Sequence, residues 1–276
     1  MIYTHYTTAK DFSDDVLPIL NRHEIQNNLL YKNIGDDKFM ASVKDDNGCV
    51  LLTVTRTVPF PMVMYETDNT RNDEAVAFFI QSLVESGIDV DFIMTEKTLA
   101  KSFCEQYSKL TDKNYRIKES LVLYILEKIN ELIPVKGSFR KVNKSDMFYL
   151  PYWYADFPPA CNIGDYNLPA GIEGAAKAVE NGNAYIWLDE YPVSLAASVR
   201  STSDCAFIGQ VYTPPNLRGN GYSTACVSHL SQKLFDSGFK YCALYADCAN
   251  PYSNRVYQKI GYKEVFWYDQ YKIYED

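Results

Sequence analysis

The sequence predicts a mixed α/β fold of two tandem units, each a mixed, mostly antiparallel sheet flanked by helices. Its 276 residues correspond to roughly two domains of about 100 to 150 residues. With 47% hydrophobic and 22% charged residues, the composition is that of an ordinary globular protein. Both halves show the order hairpin, long helix, strand, short helix, strand. We interpret this as a weak pseudo-repeat, with chance agreement between common helix–strand alternations as the alternative.

The first half begins with an amphipathic stretch that predicts a helix over residues 11–30. Strands are predicted over residues 38–43 and 49–58, because Asp45-Asp46-Asn47-Gly48 between them is a hairpin-turn sequence. The other predicted elements are a helix over 73–86, a strand over 90–94, a helix over 98–110 and a strand-rich stretch over 115–129. Pro134 and Gly137 interrupt the pattern afterwards. We therefore predict domains over residues 1–134 and 135–276.

The second half is predicted to alternate helices and strands in the same way. The predicted strands cover residues 139–142, 184–188, 192–200, 205–212, 241–246 and 262–274. The predicted helices cover residues 146–156, 171–180, 221–235 and 251–260. Strands about 20 to 40 residues apart with helices between them favour a mixed sheet with covering helices.

Composition excludes several classes of function. The net charge of −8 argues against nucleic-acid binding, which needs clustered Lys and Arg. Three histidines, and seven cysteines without a CxxC pair, predict no metal site and no disulfide framework. No apolar run approaches the roughly 20 residues of a membrane span. We expect a cytoplasmic protein with reduced thiols and no membrane partner.

The stretch over residues 210–221 is the most informative of the sequence. It reads Gln-Val-Tyr-Thr-Pro-Pro-Asn-Leu-Arg-Gly-Asn-Gly, so a buried strand leaves through two prolines and opens into a helix. The first N–H groups of such a helix, together with its dipole, attract anions. Gly219 and Gly221 allow an anion to approach closely. The stretch therefore predicts a phosphate-binding loop. In the alternative interpretation the glycines only serve the geometry of a tight connection.

Residues 218–223 read Arg-Gly-Asn-Gly-Tyr-Ser and resemble the pyrophosphate motif of the GNAT superfamily of acyl-CoA N-acyltransferases, Arg/Gln-x-x-Gly-x-Gly/Ala. Ser223 departs from the usual Gly or Ala but is small. Residues 247–262 are similar to the last helix of the family. The resemblance covers about residues 139–276 and implies a catalytic GNAT domain there. The first half would be a degenerate copy without a CoA site, since residues 69–74 lack the motif.

The resemblance also implies roles for single residues. The CoA pyrophosphate would be held by the backbone amides of Arg218, Gly219, Asn220, Gly221, Tyr222 and Ser223. The pantetheine arm would bind at the strand end formed by Val211, Tyr212 and Thr213, where Val211 and Thr213 act through their backbones. The cofactor would also be contacted by Asn250 and Asn254. Tyr257 would stand near the thioester sulfur as the catalytic acid, because a phenol with a pKa near 10 is protonated at neutral pH.

The implied reaction is transfer of an acetyl group from acetyl-CoA to a primary amine of a small molecule or peptide. The amine attacks the thioester directly in a ternary complex, while a backbone N–H stabilises the oxyanion. The general base stays open, because Gln210 stands where many relatives have Glu. A water chain, Glu173, Asp156 or a weakly basic amine are the alternatives.

Competing hypotheses are a non-catalytic CoA-binding or regulatory module and a protein-interaction module with a vestigial site. The absence of the strand Glu favours the former slightly. Peptide ligation with charged tRNA is known for some tandem GNAT-like folds. The acidic net charge argues against it here, because tRNA demands a basic surface.

Overall fold

The computed structural model describes residues 1–275, and within them the chain forms eight α-helices and twelve strands. The strands are β1 (Ile2–Tyr6), β2 (Phe39–Lys44), β3 (Val50–Arg56), β4 (Met62–Glu66), β5 (Phe92–Glu96), β6 (Asn114–Leu126), β7 (Ser138–Lys141), β8 (Ala184–Asp189), β9 (Tyr191–Ser201), β10 (Cys205–Tyr212), β11 (Tyr241–Asp247) and β12 (Lys263–Tyr274). The helices are α1 (Ala9–Leu20), α2 (Asn28–Lys32), α3 (Asp73–Glu85), α4 (Lys97–Thr111), α5 (Leu150–Ala160), α6 (Leu168–Asn181), α7 (Tyr222–Asp236) and α8 (Pro251–Ile260).

The first compact unit joins Met1–Val122 to the C-terminal segment that starts at Phe266. Strands β1 to β4 form an antiparallel ladder, β5 pairs in parallel with β4, and β12 is antiparallel to β5. Helices α3 and α4 bury Phe79 and Phe103 in its core. The domain division at residue 134 stays a prediction. The compact unit differs from it because the β12 residues Tyr268 to Lys272 pair with β5.

The second compact unit covers Leu123–Val265 and holds the elements of the candidate site. Strands β7 to β10 are antiparallel, and β11 pairs in parallel with β10. Leu195 and Ala197 of β9 share a buried cluster with residues of α5 and α6. Ile186 of β8 belongs to the same cluster, whereas the ring of its neighbour Trp187 lies 4.8 Å from that of His229 on α7. Because neighbouring residues of a strand point to opposite faces, α5 and α6 cover one face of the sheet and α7 the other.

The mixed α/β fold class, with mixed sheets flanked by helices, is confirmed. The helix predicted over residues 11–30 is wrong as one element. The chain instead forms α1, a short 3-10 turn at Asn21–His23, and α2. The Asn27 side-chain amide donates to the Leu20 carbonyl at 3.1 Å and so satisfies the end of α1 within the break. Strands β1 and β4 were not predicted.

The turn that precedes α5 depends on a buried carboxylate. Asp146 is 2% exposed and accepts two hydrogen bonds of 2.7 Å from the Arg140 guanidinium. It also accepts from the Tyr149 hydroxyl at 2.8 Å and from the Asn143 amide at 2.7 Å. Burial by itself raises the pKa of Asp146, but the hydrogen bonds from Arg140 and Asn143 outweigh burial and lower it.

We expect Asp146→Asn to lower the free energy of unfolding by about 3 kcal/mol, because it leaves the partner charge without its counter-ion. Urea unfolding monitored by circular dichroism measures this. Lys177→Gln breaks an exposed ion pair with Glu173 and is the control, for which no measurable loss is expected. Equal losses in the two variants would contradict the assignment.

The Asp146–Arg140 pair makes the folding stability depend on pH in a defined direction. The pKa of Asp146 is lowered in the folded state, so its contribution to stability is complete above the unfolded-state pKa of about 3.9. It disappears as the pH falls through the lower pKa of the folded state. The stability difference between wild type and Asp146→Asn should therefore shrink below about pH 4. A difference that grows toward acid pH would have the wrong sign.

Candidate functional site

Strands β10 and β11 diverge at their C-terminal ends. Their parallel pairing covers only Cys205, Ala206 and Phe207 of β10, although that strand continues to Tyr212. On its other edge β10 carries a bulge, because three residue steps from Gly209 to Tyr212 face two steps on β9. Gln210 lies in this bulge with a left-handed φ of 51°. The end of β10 therefore presents backbone groups that β11 does not engage.

Hydrogen bonds hold the chain where it leaves β10. The hydroxyl of Ser194 lies 2.9 Å from the hydroxyl of Thr213 and donates to the Tyr212 carbonyl at 3.3 Å. The Nε of Arg218 donates to the Thr213 carbonyl at 3.0 Å and closes the connection into a compact loop. The Asn220 side chain donates to the Leu217 carbonyl at 3.1 Å. These hydrogen bonds therefore bring the predicted residues Tyr212, Thr213 and Arg218 together in one loop.

The start of α7 has free backbone donors. Within residues 1–275, the amides of residues 219–223 donate to no protein acceptor, and Gly221 has no side-chain cap. Gly219 and Gly221 adopt left-handed φ angles of 85° and 79°, which favour glycine. Space is open at Gly219, where an added Cβ would meet no atom within 4 Å. Unpaired amides at a helix start attract an anion.

A side-chain anchor fixes the first residue of α7. The hydroxyl of Tyr222 donates to Asp189 at 2.7 Å, and Lys136 lies 3.1 Å from the same carboxyl group. The hydrogen bond from Tyr222, followed by that from Lys136, lowers the pKa of Asp189. The carboxylate therefore stays ionised at neutral pH. Because the Tyr222 side chain is held in this way, its amide keeps a fixed position at the helix start.

The two predicted asparagines lie in the first turns of α8, just after β11. Asn250 caps the helix, since its side-chain oxygen accepts from the amides of Tyr252 and Ser253 at 3.1 and 3.2 Å. The Asn254 amide group donates to the Asp247 carbonyl at 3.0 Å, at the end of β11. The Oδ1 atom of Asn254 is buried without a hydrogen-bond partner within residues 1–275. Contacts of both residues with a cofactor stay a prediction.

Tyr257 lies on α8, which packs against α7. Its ring is buried with centroids 6.0 Å from those of Tyr124 and Tyr262, and its hydroxyl makes no hydrogen bond within residues 1–275. Burial, followed by the nearby Cys161 and Tyr124, raises the pKa of Tyr257. The phenol is therefore protonated at neutral pH and has a proton to donate.

Of the two carboxylates considered as a base, the structure connects only one to the strand exit. Asp156 on α5 accepts a short hydrogen bond from the Tyr212 hydroxyl at the end of β10. Glu173 lies on the exposed side of α6 and pairs with Lys177. Gln210 has a left-handed backbone in the bulge and no side chain that can take a proton.

Three further features are relevant to the chemistry of the chain: a cysteine nucleophile, a metal site and a membrane-spanning helix. Cys226 is fully buried, and burial raises the pKa of its thiol, so it packs in the core and does not act as a nucleophile. Among residues 1–275, no group of three or more His, Cys, Asp or Glu side chains could hold a metal ion. In the same part of the chain, every helix is too short or too polar to cross a membrane.

The first unit has a helix in the corresponding place, α3 after β4, but its start is closed to anions. Asn72 caps the Ala75 amide at 2.9 Å, and the buried Glu66 carboxylate accepts from the Asn72 amide at 2.8 Å. Asp73 and Glu74 add negative charge to the first turn. A diphosphate is disfavoured there, in agreement with the prediction of a degenerate copy, which itself stays a prediction.

Sequence reasoning missed the residues that support the loop. Asp189 of β8 bonds to Tyr222, Ser194 of β9 bonds to Thr213, and Lys136 pairs with Asp189. No local motif marks them, because each contact joins residues far apart in the sequence. The bulge at Gln210 also gave no signal, since a left-handed glutamine is not predictable from residue type.

Comparison with known proteins yields one family match. The model of the acetyltransferase (GNAT) family matches residues 149–262, from the residue before α5 to the one before β12. This range contains residues 218–223, Asn250, Asn254 and Tyr257. Among curated proteins, none matches the chain.

Solved structures with the same fold cover nearly the whole chain. A GNAT-family acetyltransferase from Colwellia psychrerythraea is 9% identical and covers 100% of both chains with a TM-score of 0.63. A GCN5-related N-acetyltransferase from Sphaerobacter thermophilus is 12% identical and covers 98% of this chain and 94% of its own, with a TM-score of 0.66. One from Kribbella flavida is 13% identical, covers 96% and 95%, and has a TM-score of 0.54. At these identities the likeness shows the fold. The family match over residues 149–262 confirms the predicted resemblance of the C-terminal half to the GNAT superfamily.

Proposed function

We propose that the chain transfers an acetyl group from acetyl-CoA to a primary amine of a small molecule or peptide. The observation that carries the proposal is the group of unpaired amides over residues 219–223 at the start of α7. The GNAT family and fold support an N-acetyltransferase type of function. Acetyl-CoA as the donor and an amine as the acceptor are our inference from that support.

The residues present fit a diphosphate. The loop is exposed from Arg218 to Asn220, its free N–H groups directly follow Arg218 in the chain, and Gly219 leaves space for an anion. Each amide bonded to a charged oxygen contributes about 1.5 to 3 kcal/mol. The unpaired edge of β10 beyond Phe207 offers further backbone groups for an amide-containing arm. In this proposal Val211 and Thr213 would bind that arm through their backbones.

The chain's own residues would act by positioning and proton donation. A bound thioester supplies an acyl group that an amine can attack without a covalent enzyme intermediate. The loop and the β10 edge would hold the donor, which converts the attack into a reaction between aligned groups. Tyr257 would donate its proton to the departing sulfur. A backbone N–H at the diverging strand end would stabilise negative charge on the carbonyl oxygen.

The test combines binding and turnover on the full chain. Calorimetry with acetyl-CoA should show saturable binding, and mass spectrometry should detect acetylated product from a panel of primary amines. The matched alcohols are the control, since they lack the attacking nitrogen. Binding without any acetylated amine would favour the non-catalytic CoA-binding module instead. Absence of acetyl-CoA binding would refute both functions.

A further inference from the structure

Asp156 is held by the strand that ends at the candidate site. The hydroxyl of Tyr212 donates to its Oδ2 atom, and Tyr212 itself is only 5% exposed. The hydroxyl stays protonated, because burial, together with the Asp156 charge, raises the pKa of Tyr212. The carboxylate is thus fixed on the α5 and α6 face of the sheet, beside the exit of β10.

The second oxygen of this carboxylate is available for a ligand. Within residues 1–275, Asp156 Oδ1 makes no hydrogen bond or ion pair, and the residue is partly exposed. The other acidic side chain of this region, Asp146, has both oxygens occupied by Arg140, Tyr149 and Asn143. Asp156 therefore differs from Asp146, because one of its carboxylate oxygens is held by Tyr212 and the other is available to a ligand.

The surroundings of Asp156 suit a cation that carries an apolar arm. Trp153, on the same helix, has its ring 5.9 Å from that of Tyr212, and the Tyr149 ring lies 4.8 Å from Trp153. Both side chains, together with Phe157, are partly buried next to the α5 and α6 core. Aromatic faces attract ammonium groups and apolar carbon, while a carboxylate forms an ion pair with the ammonium.

The acid Tyr257 lies near the same helix. The Cys161 thiol, immediately after the last residue of α5, is among the groups that raise the pKa of Tyr257. Asp156 stands five residues earlier on this helix, which is about 7.5 Å along its axis. The α5 helix thus has a proton acceptor beside the β10 exit, and the residue that follows it is among the groups that act on Tyr257.

We propose that Asp156, positioned by Tyr212, binds the ammonium group of the acceptor and takes its proton. The acceptor would be a primary amine with an aromatic or apolar arm. This inference rests on the proposed acetyl transfer.

The protons balance as follows. The acceptor arrives as R–NH₃⁺ and gives one proton to Asp156, which passes it to solvent. The neutral nitrogen forms the C–N bond, the C–S bond breaks, and Tyr257 gives its proton to the sulfur. The nitrogen loses a second proton, which restores the phenol. The products are the amide, the free thiol and one released proton.

The experiment uses the full chain with acetyl-CoA and 2-phenylethylamine as the probe, with acetylated product measured by mass spectrometry. Asp156→Asn should lower kcat/KM for the amine by about 100-fold or more, the usual effect of losing a general base. Its Kd for acetyl-CoA should stay within about twofold, because the phosphate loop is unchanged. Asp236→Asn, at the opposite end of α7 from the loop, is the matched control and should behave as wild type.

A second variant separates positioning from proton transfer. Tyr212→Phe removes only the hydroxyl that holds Asp156, so it should raise KM for the amine more than it lowers kcat, with a total loss of about tenfold. It also keeps the test valid if Asp156→Asn fails to fold. Wild-type kinetics in both folded variants would overturn the inference while the proposed function stands. Acetyl-CoA binding by the wild type without transfer to phenylethylamine would overturn the assigned acceptor class, and absence of acetyl-CoA binding would refute the proposed function with it.

Discussion

Ser223→Asp is expected to raise the Kd for acetyl-CoA by about 1,000-fold, which corresponds to about 4 kcal/mol. Ser223 is the second residue of α7, and its amide belongs to the unpaired group over residues 219–223. A carboxylate there would occupy the free N–H groups and repel a diphosphate. Loss of two charge-assisted hydrogen bonds at about 1.5 to 3 kcal/mol each accounts for the expected size.

The same variant should fold at least as well as the wild type. An acidic side chain in the first turn of a helix stabilises it by about 0.3 to 1 kcal/mol through the helix dipole. Thermal unfolding would therefore show an unchanged or slightly higher Tm, while calorimetry shows weakened binding. Ser223→Ala is the control, because it keeps the amides free and the residue small. If Ser223→Asp bound acetyl-CoA as tightly as Ser223→Ala, the loop could not be the anion site.

Tyr257→Phe should lower kcat by about 100-fold, or about 2.7 kcal/mol of transition-state stabilisation, and leave the Kd for acetyl-CoA nearly unchanged. The hydroxyl makes no hydrogen bond within residues 1–275, so the variant should not lose stability by breaking a contact. Stopped-flow kinetics at saturating acetyl-CoA measures the effect. Tyr262→Phe is the matched control, since the Tyr262 hydroxyl is bound to Ser231 at 2.8 Å within the core.

The pH dependence of Tyr257 has a clear sign. Burial raises the pKa of its phenol above the ordinary value of 10.0, so wild-type activity should not fall between pH 8 and about 10 through loss of this proton. A decline over that range that disappears in Tyr257→Phe would show a lower pKa than the structure implies. Unchanged kcat in Tyr257→Phe would remove the tyrosine from the mechanism and favour the non-catalytic alternative.

The parts of the fold that were predictable depend on local chemistry. The β2–β3 turn follows from Asp45, whose side chain accepts from the Asn47 and Cys49 amides at 2.9 and 2.8 Å. The turn into α7 follows from two glycines and an arginine within four residues. In contrast, the placement of β12 beside β5 depends on pairing between distant segments, which no local pattern encodes.

The candidate site also combines residues that a local motif predicts with contacts that depend on the tertiary fold. Residues 218–223 and Tyr257 were predicted from contiguous motifs. The structure places residues 218–223 at the entry and first turn of α7 and Tyr257 on α8, and the two helices pack together. The bond between Tyr212 and Asp156 was not predictable, because it joins a strand end to a preceding helix by a tertiary contact. The sequence left several groups open as the general base. We propose Asp156 among them, because its side chain contacts the strand exit and that of Glu173 pairs with Lys177.

The amide signals of residues 219–223 test the central claim most directly. Hydrogen exchange followed by NMR should show these amides exchanging freely in the protein alone, because they have no acceptor within residues 1–275. Saturating CoA should protect them strongly. Acetylpantetheine, which lacks the diphosphate, should leave them unprotected. Amides already protected in the free protein, or left exchanging freely at saturating CoA, would contradict the account.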